Sequence, residues 1–354
     1  MFRRSPFNPL VSPKDVRPSR PDLEVVGCFN PGAAVYGGHS VLLVRVAERP
    51  IQTDPRYQLI SIWNPTTQNL ETRAVARSGT GVESSDARVI QTIQGSYLTS
   101  LSHLRVAWVD EQGRATIESQ PALFPQESYE RFGIEDPRIT EIDGRYYITY
   151  AAISEQGIVT ALASTLDFST FTRHGILFPP DNKDVVLFPG RAGGRYYALH
   201  RPSASHYGSP EMWIADSPDL VHWGGHQRFL PIRPGHWDGV RVGAGAPPLY
   251  TPVGWLEIYH GADHQLRYCL GAVLTAADAP GRILARTQSP IFMPDAPYER
   301  SGFFPDVVFA GGAIYRDNIV TVYYGAADSS VASAQTSLDA ILEALDPKAA
   351  LSEP

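Results

Sequence analysis

Gly133-Ile134-Glu135-Asp136-Pro137-Arg138 places two carboxylates and a guanidinium side by side, just ahead of a strongly alternating segment. Apolar or rigid neighbours flank Asp136, which predicts a fixed backbone and an enclosed carboxyl group. A carboxyl held that way has a raised pKa and can act as a general acid, typically worth about 10²–10⁴-fold in rate. The same residues could form a surface turn closed by Pro137 with an ordinary Arg–carboxylate pair. Locally the two readings are equal, and the rest of the chain decides between them. Two more segments carry charge in a suggestive setting. Asp181-Asn182-Lys183-Asp184 precedes the apolar run Val185-Val186-Leu187-Phe188, and Arg241 stands before Gly243-Ala244-Gly245-Ala246-Pro247-Pro248. Together with His200-Arg201, these supply Lys183, Arg201 and Arg241. They could hold an oxyanion, since Arg offers paired donors and Lys a point charge. A solvated charge cluster is the plainer alternative.

Such groups need elements to bring them together, and the chain repeats itself. A Gly or Asp turn followed by an alternating, aromatic-rich strand with a polar end recurs at Gly38–Arg45, Asp143–Tyr150, Gly194–Arg201, Gly254–His260 and Asp317–Gly325. A second phrase, Ala163-Ser164-Thr165-Leu166-Asp167-Phe168, recurs at a constant offset of 52 as Ala215-Asp216-Ser217-Pro218-Asp219-Leu220. Strand-rich units of roughly 50–60 residues with little helix between them suit four-stranded propeller blades. A parallel α/β fold lacks the amphipathic helices it would need. Leu338, Ile341, Leu342 and Leu345 follow helical spacing, and Asp346-Pro347 ends that run. The expected fold is therefore all-β. It is a single five-bladed β-propeller over 1–354, with an extended arm over 1–25 and a C-terminal helix over 336–346. In such a fold the polar ends Arg45, Tyr150, His200-Arg201, His260 and Asp328 meet in one axial funnel. Tyr146, Tyr150, Trp255 and Tyr259 could stack on sugar rings there, or simply fill the core.

Composition bounds the function. Thirty glycines and thirty prolines in 354 residues fit many short strands and tight turns, and the length allows a large core. A formal charge of −7 without any basic stripe argues against nucleic acid. Cys28 and Cys269 are the only cysteines, so neither a disulfide framework nor a cysteine zinc site is implied. The basic start lacks the apolar stretch of a secretory signal, and no apolar run approaches a membrane span; the cytoplasm is the simplest location. His-Glu-x-x-His, Gly-x-Ser-x-Gly and EF-hand patterns are absent, and Pro247-Pro248 breaks any P-loop or dinucleotide fingerprint.

From Phe29-Asn30-Pro31-Gly32-Ala33 to the C-terminal helix, the chain resembles glycoside hydrolase family 130, the mannoside phosphorylases and related mannosidases. The motifs that carry the resemblance are Gly-Ile-Glu-Asp-Pro-Arg, Asn-Lys-Asp-Val-Val-Leu-Phe-Pro, Leu-His-Arg-Pro, Gly-Ala-Gly-Ala-Pro-Pro, Trp-Leu-Glu-Ile-Tyr-His-Gly and Tyr-Tyr-Gly-Ala-Ala-Asp. Asn-Lys-Asp and the segment Tyr97–Arg105, with His103 and Arg105, are most similar to the branch acting on β-1,2-linked mannosides. The resemblance implies a five-bladed propeller with Asp136 as sole catalytic acid, passing its proton through the 3-hydroxyl of the mannosyl unit. It implies Asn30, Arg45 and Asp328 at that sugar, and a phosphate held by Lys183, Arg201 and Arg241 with His260 nearby. His103, Arg105, Glu135, Arg138 and Tyr150 complete the expected substrate-binding set, Glu135 and Arg138 as positioning residues. Lys183 and Arg241 stand where the 1,4-specific pattern has Arg and Lys respectively, a swap that keeps the charge.

The implied reaction is inverting phosphorolysis of a β-mannoside to α-D-mannose 1-phosphate, with inorganic phosphate as co-substrate and neither cofactor nor metal. An inverting hydrolase needs a second carboxylate as base about 6.5–9.5 Å from the first. Neighbours along a strand point to opposite faces, so Glu135 is not expected to serve; Glu299, Asp306 and Asp328 are the other candidates. Rival readings are a hydrolase of the same fold, a GDP-mannose-using transferase, and a non-catalytic sugar-binding propeller. The expected partners are a β-mannoside oligosaccharide and phosphate, with no nucleic acid and no membrane. The arm and the terminal helix are packing elements that would suit a homo-oligomer.

Overall fold

The computed structural model describes residues 1–83, 86–203 and 207–350. Its strands form five antiparallel blades around one axis. Blade 1 comprises Leu23–Tyr36, His39–Pro50, Leu101–Val109 and Ala115–Ile117; blade 2 comprises Ile134–Ile142, Arg145–Ser154, Gly157–Thr165 and Thr172–Phe178. Blade 3 runs through Asn182–Ala192, Arg195–Pro202, Met212–Ser217 and Gly224–Leu230. Blade 4 uses Arg241–Ala244, Gly254–Ala262, Tyr268–Thr275 and Ile283–Thr287, with Leu249–Thr251 beside its second strand. Blade 5 uses Val308–Arg316, Ile319–Ala326 and Ser330–Ser337, and its outer strand is Arg3–Arg4 from the N-terminus. The first strands of the blades pack against one another around the axis, and the apolar clusters fill the wedges between neighbouring blades.

The five recurring phrases of the sequence are the five second strands. The phrase at offset 52 is a structural turn. Thr165 Oγ1 accepts from the amides of Asp167 and Phe168, and Asp167 Oδ1 accepts from those of Ser169 and Thr170. Ser217 and Asp219 repeat the pattern in blade 3.

Three expectations change. The arm expected over 1–25 ends sooner, because the first strand of blade 1 begins already at Leu23, and the arm's Arg3–Arg4 pairs as the outer strand of blade 5 and closes the ring. The terminal helix is shorter than 336–346, running over Leu338–Glu343 with Ser337 as its cap. Leu345 and Asp346, expected in the helix, pair instead with Thr287 and Arg286 at the edge of blade 4. Between its second and third strands blade 1 carries two hairpins, Tyr57–Asn64 with Asn69–Ala76 and Val89–Thr92 with Gly95–Leu98. The second of these leans over the axial pocket.

Candidate active site

The first strands of blades 1, 2 and 3 break their register at matching places: after Phe29, after Glu135 and after Lys183. At each break one residue adopts a left-handed backbone: Asn30 (φ 48°), Asp136 (φ 51°) and Asp184 (φ 54°). Asn and Asp tolerate this conformation better than other non-glycine residues, and bulges of this kind re-aim side chains next to active sites. The consequence corrects the sequence reading. The bulge cancels strict alternation, so Glu135 and Asp136 both line one cavity of about 320 Å³, and so do Lys183 and Asp184.

Blades 5, 1 and 2 supply the acidic half of that cavity. Arg45 lies at its centre, stacked on Phe29 with 4.5 Å from guanidinium to ring. It donates to Asp136 Oδ1 at 3.0 Å, to Glu135 Oε1 at 2.6 Å and to Ser102 Oγ at 3.0 Å. Asn30 Nδ2 also donates to Asp136 Oδ1, at 2.8 Å. Gly325 must be glycine, because a Cβ there would collide with the Asn30 side chain. Burial alone would raise the Asp136 pKa, but the charges of Arg45 and Arg138 and the Asn30 hydrogen bond outweigh it. Asp136 is therefore held below the ordinary carboxylate range in the free protein, not above it as expected from sequence. Burial and the Asp136 charge push Glu135 up instead, against the pull of Arg45. Asp328 of blade 5 is raised to about 6 by burial and by the Asp136 and Glu135 charges, against the pull of Arg45 and Arg88.

Blades 3 and 4 supply the cationic half: Lys183, Arg201, Arg241 and His260. Asp184, which the sequence reading did not assign, anchors it. Its Oδ2 lies 2.8 Å from Arg201 Nη2 and 3.3 Å from His260 Nε2, and its Oδ1 lies 3.7 Å from Arg138 Nη2. Burial opposes ionisation of Asp184, but Arg201, His260 and Arg138 carry its pKa well below the usual value. The Asp184 carboxylate is ion-paired inside the protein although its Oδ2 completes no hydrogen bond among the described residues, and Arg201 Nε and Nη1 and both His260 ring nitrogens are likewise buried without a hydrogen-bond partner there. Burial lowers His260 to about 4, so its ring is neutral at pH 7. Burial and the neighbouring Arg201 also lower Lys183. Arg241 is steadied by Tyr268, whose hydroxyl accepts from Nη1 at 2.7 Å. Orphaned donors on buried cations cost free energy unless a ligand meets them.

Of the residues expected from sequence, Asn30, Arg45, Glu135, Asp136, Lys183, Arg201, Arg241, His260 and Asp328 all line this cavity. Four do not. His103 and Arg105 are fully buried on the other face of their strand, facing Glu48 at 3.4 and 3.5 Å. Strand alternation explains this, since Ser102 and Leu104 share the face of Arg45 while His103 and Arg105 take the opposite one. Tyr150 is buried with its hydroxyl on Glu130 at 2.8 Å. Arg138 lies beneath the pocket and donates at 2.6 Å to the Asp136 carbonyl, as a positioning residue would. His200 is likewise outside, between Asn182 and His226.

The aromatic residues marked for stacking (Tyr146, Trp255, Tyr259) are core groups, and Phe29, Phe303, Phe304, Phe309 and Tyr268 line the pocket in their place. Glu299 is buried on Arg4 and Tyr324, and Asp306 lies outside the lining, so of the proposed second carboxylates only Asp328 reaches the pocket.

Comparison with known proteins agrees with this geometry. The model of glycoside hydrolase family 130, described as beta-1,4-mannooligosaccharide phosphorylase, matches residues 87–347. A beta-1,2-mannobiose phosphorylase of Listeria innocua serovar 6a is 43% identical over 346 residues, 97% of this chain and 98% of that protein. A 1,2-beta-oligomannan phosphorylase of Thermoanaerobacter sp. is 38% identical over 215 residues, 60% of this chain and 71% of the relative. The solved structure of the beta-1,2-mannobiose phosphorylase from Listeria innocua, in complex with beta-1,2-mannobiose, superposes with a TM-score of 0.94 at 42% identity, covering 97% of this chain and 98% of that one. A glycosyl hydrolase from Bacteroides ovatus, at 23% identity and a TM-score of 0.72, shares the fold. With the matched motifs gathered in one axial pocket and relatives of this similarity along nearly its whole length, the chain belongs to glycoside hydrolase family 130, the mannoside phosphorylases.

Proposed function

We propose that this protein cleaves β-mannosides, specifically β-1,2-linked manno-oligosaccharides, by inverting phosphorolysis to α-D-mannose 1-phosphate. The observation that carries this reading is the pair of unpartnered Arg201 nitrogens, buried beside Lys183, Arg241 and His260 in the half of the pocket facing Asp136. A hydrolase needs a base at that place to activate water. Among the described residues the carboxylate in that half is Asp184, and it is ion-paired with Arg201, His260 and Arg138. Fixed cations instead favour a phosphate, which is a nucleophile without deprotonation by the protein.

The proposed steps join this arrangement of residues to the mechanism that the family resemblance implies. The mannosyl unit lies in the acidic half against Asn30, Arg45 and Asp328, and phosphate lies across the axis on the cations. A phosphate oxygen attacks C1 as the glycosidic C–O bond breaks. The leaving oxygen takes the proton of the sugar 3-hydroxyl, which takes one from Asp136, and the proton released by phosphate restores Asp136. Asp136 is ionised in the free protein because Arg45 and Arg138 hold it so. Sugar hydroxyls that draw on Arg45 and a phosphate dianion nearby both raise its proton affinity, which readies it as the acid only in the ternary complex.

The test is incubation with β-1,2-mannobiose, with and without phosphate. Mannose 1-phosphate formed only with phosphate is the expected result. Free mannose released without phosphate would establish hydrolysis instead, and no turnover of any β-mannoside in either direction would leave a sugar-binding protein. The β-1,4-linked disaccharide, run in parallel, reads out linkage.

A further inference from the structure

Glu257 lies in the second strand of blade 4, 1% exposed, and forms no ion pair among the described residues. Its Oε1 accepts the Gly245 amide at 3.0 Å, while its Oε2 is buried with no hydrogen-bond partner among the described residues. Burial lifts this carboxyl well above the ordinary range, more than the Gly245 amide and the Arg138 charge recover, which favours its protonated form.

The amide it holds belongs to the Ala244–Gly245 peptide, whose carbonyl end faces Arg138 Nη2 at 3.4 Å. The next carbonyl, that of Gly245, accepts from Arg138 Nε at 2.6 Å, and Arg138 Nη1 donates to the Asp136 carbonyl at 2.6 Å. A continuous line therefore runs from a buried acid in blade 4 to the backbone of the acid in blade 2. The line has little slack, because a Cβ on Gly245 would strike the Ile258 carbonyl and stand 3.1 Å from that of Ala310.

We infer that Glu257 is a positioning residue for the reaction proposed above: it clamps the Ala244–Gly245 peptide and thereby holds Arg138 against the Asp136 backbone. The bias of Glu257 toward its neutral form serves the same end. An ionised carboxylate at this place would compete with Asp136 and Asp184 for the single positive charge of Arg138. A neutral acceptor orients the peptide and leaves that charge directed at the pocket. Misplacing a reacting group by about 1 Å can cost up to about 10²-fold in rate without a change in binding.

The experiment compares Glu257→Gln with Glu257→Leu in phosphorolysis of β-1,2-mannobiose. The readouts are kcat, KM for both substrates, the pH profile of kcat, and the thermal midpoint. Gln keeps a neutral acceptor for the Gly245 amide and should retain the kcat and pH profile of the unaltered protein. Leu fills the space but accepts nothing; kcat should fall about tenfold while both KM values stay nearly constant. Wild-type kcat in the Leu variant overturns the inference, as does a Gln variant impaired as much as Leu. Should the Leu variant fail to fold, Gln decides alone: unchanged kcat sustains the role and a tenfold loss overturns it. Absence of mannose 1-phosphate from the unaltered protein would instead remove the reaction itself, an outcome seen before any variant is assayed.

Discussion

Asp136 receives two donors, Asn30 and Arg45, on the same oxygen, Oδ1. That arrangement orients the carboxyl group and leaves Oδ2 for a ligand hydroxyl. Asp136→Asn preserves shape and removes the proton; kcat should fall by about 10²–10⁴-fold, with circular dichroism unchanged. Asp328 gives a pH prediction with a definite sign. Raised to about 6, it is ionised above that pH and then a stronger, charged acceptor for a sugar hydroxyl. The kcat/KM for the mannoside should therefore decline as pH falls through about 6, and this limb should disappear in Asp328→Asn, whose residual activity is low throughout.

Linkage works the other way for stability. A carboxyl whose folded pKa lies above its unfolded value stabilises the fold while protonated and loses that contribution as pH rises through the folded value. Asp328→Asn should thus raise the thermal midpoint by about 1–3 °C at pH 8, and the gain should vanish toward pH 4. A constant difference across that range would contradict the assigned burial of charge.

At the level of elements, the bulges in three first strands decide what the pocket contains. Phe29-Asn30-Pro31, Glu135-Asp136-Pro137 and Lys183-Asp184-Val185 are equivalent places in successive blades, and each presents consecutive side chains to one side. Regular alternation would have hidden one of each pair. Gly243, in the first strand of blade 4, is the counterpart constraint. A Cβ there would lie 2.5 Å from His260 Nε2 and 2.6 Å from Asp184 Oδ2. Gly243→Ala should push both groups off their positions and raise the phosphate KM by about tenfold, or about 1.4 kcal/mol, with the mannoside KM little altered. Equal effects on both KM values would show that the phosphate half is not a separate unit.

For the whole molecule, closure of the ring falls to a two-residue strand. Arg4 bridges to Glu299 Oε2 at 2.7 Å, and Tyr324 donates to Oε1 of the same buried carboxylate at 2.6 Å. Blade 2 contains the same device built from Glu130, Tyr150 and Arg173, and blade 4 a variant built from Asp238, Tyr259 and Arg286. The segments around Glu130 and Glu299, Pro125-Gln126-Glu127-Ser128-Tyr129-Glu130-Arg131 and Pro294-Asp295-Ala296-Pro297-Tyr298-Glu299-Arg300, repeat at an offset of 169. That repeat was available in the chain and explains why Tyr150 is structural. Arg4→Ala strips the charge partner from Glu299 and should cost about 2 kcal/mol. The expected drop in thermal midpoint is about 3 °C, with kcat little changed because the Glu299 side chain does not line the pocket. An unchanged midpoint would mean that the arm does not latch the ring.

Composition, turn spacing and the five second strands were enough to determine the blade count, because each strand lies within one repeat and its alternation is local. The cations and Asp136 were also legible, as motif residues at strand ends or beside glycine and proline. Tertiary structure alone decided that Glu135 shares the pocket, that Asp184 anchors the cations, and that His103 and Arg105 face away. The reason is physical: a bulge changes which face a residue takes without changing its neighbours in sequence, and an ion pair between blades joins residues far apart in the chain. The same structure reversed the expected protonation of Asp136, since its carboxyl is governed by Arg45, delivered from another blade.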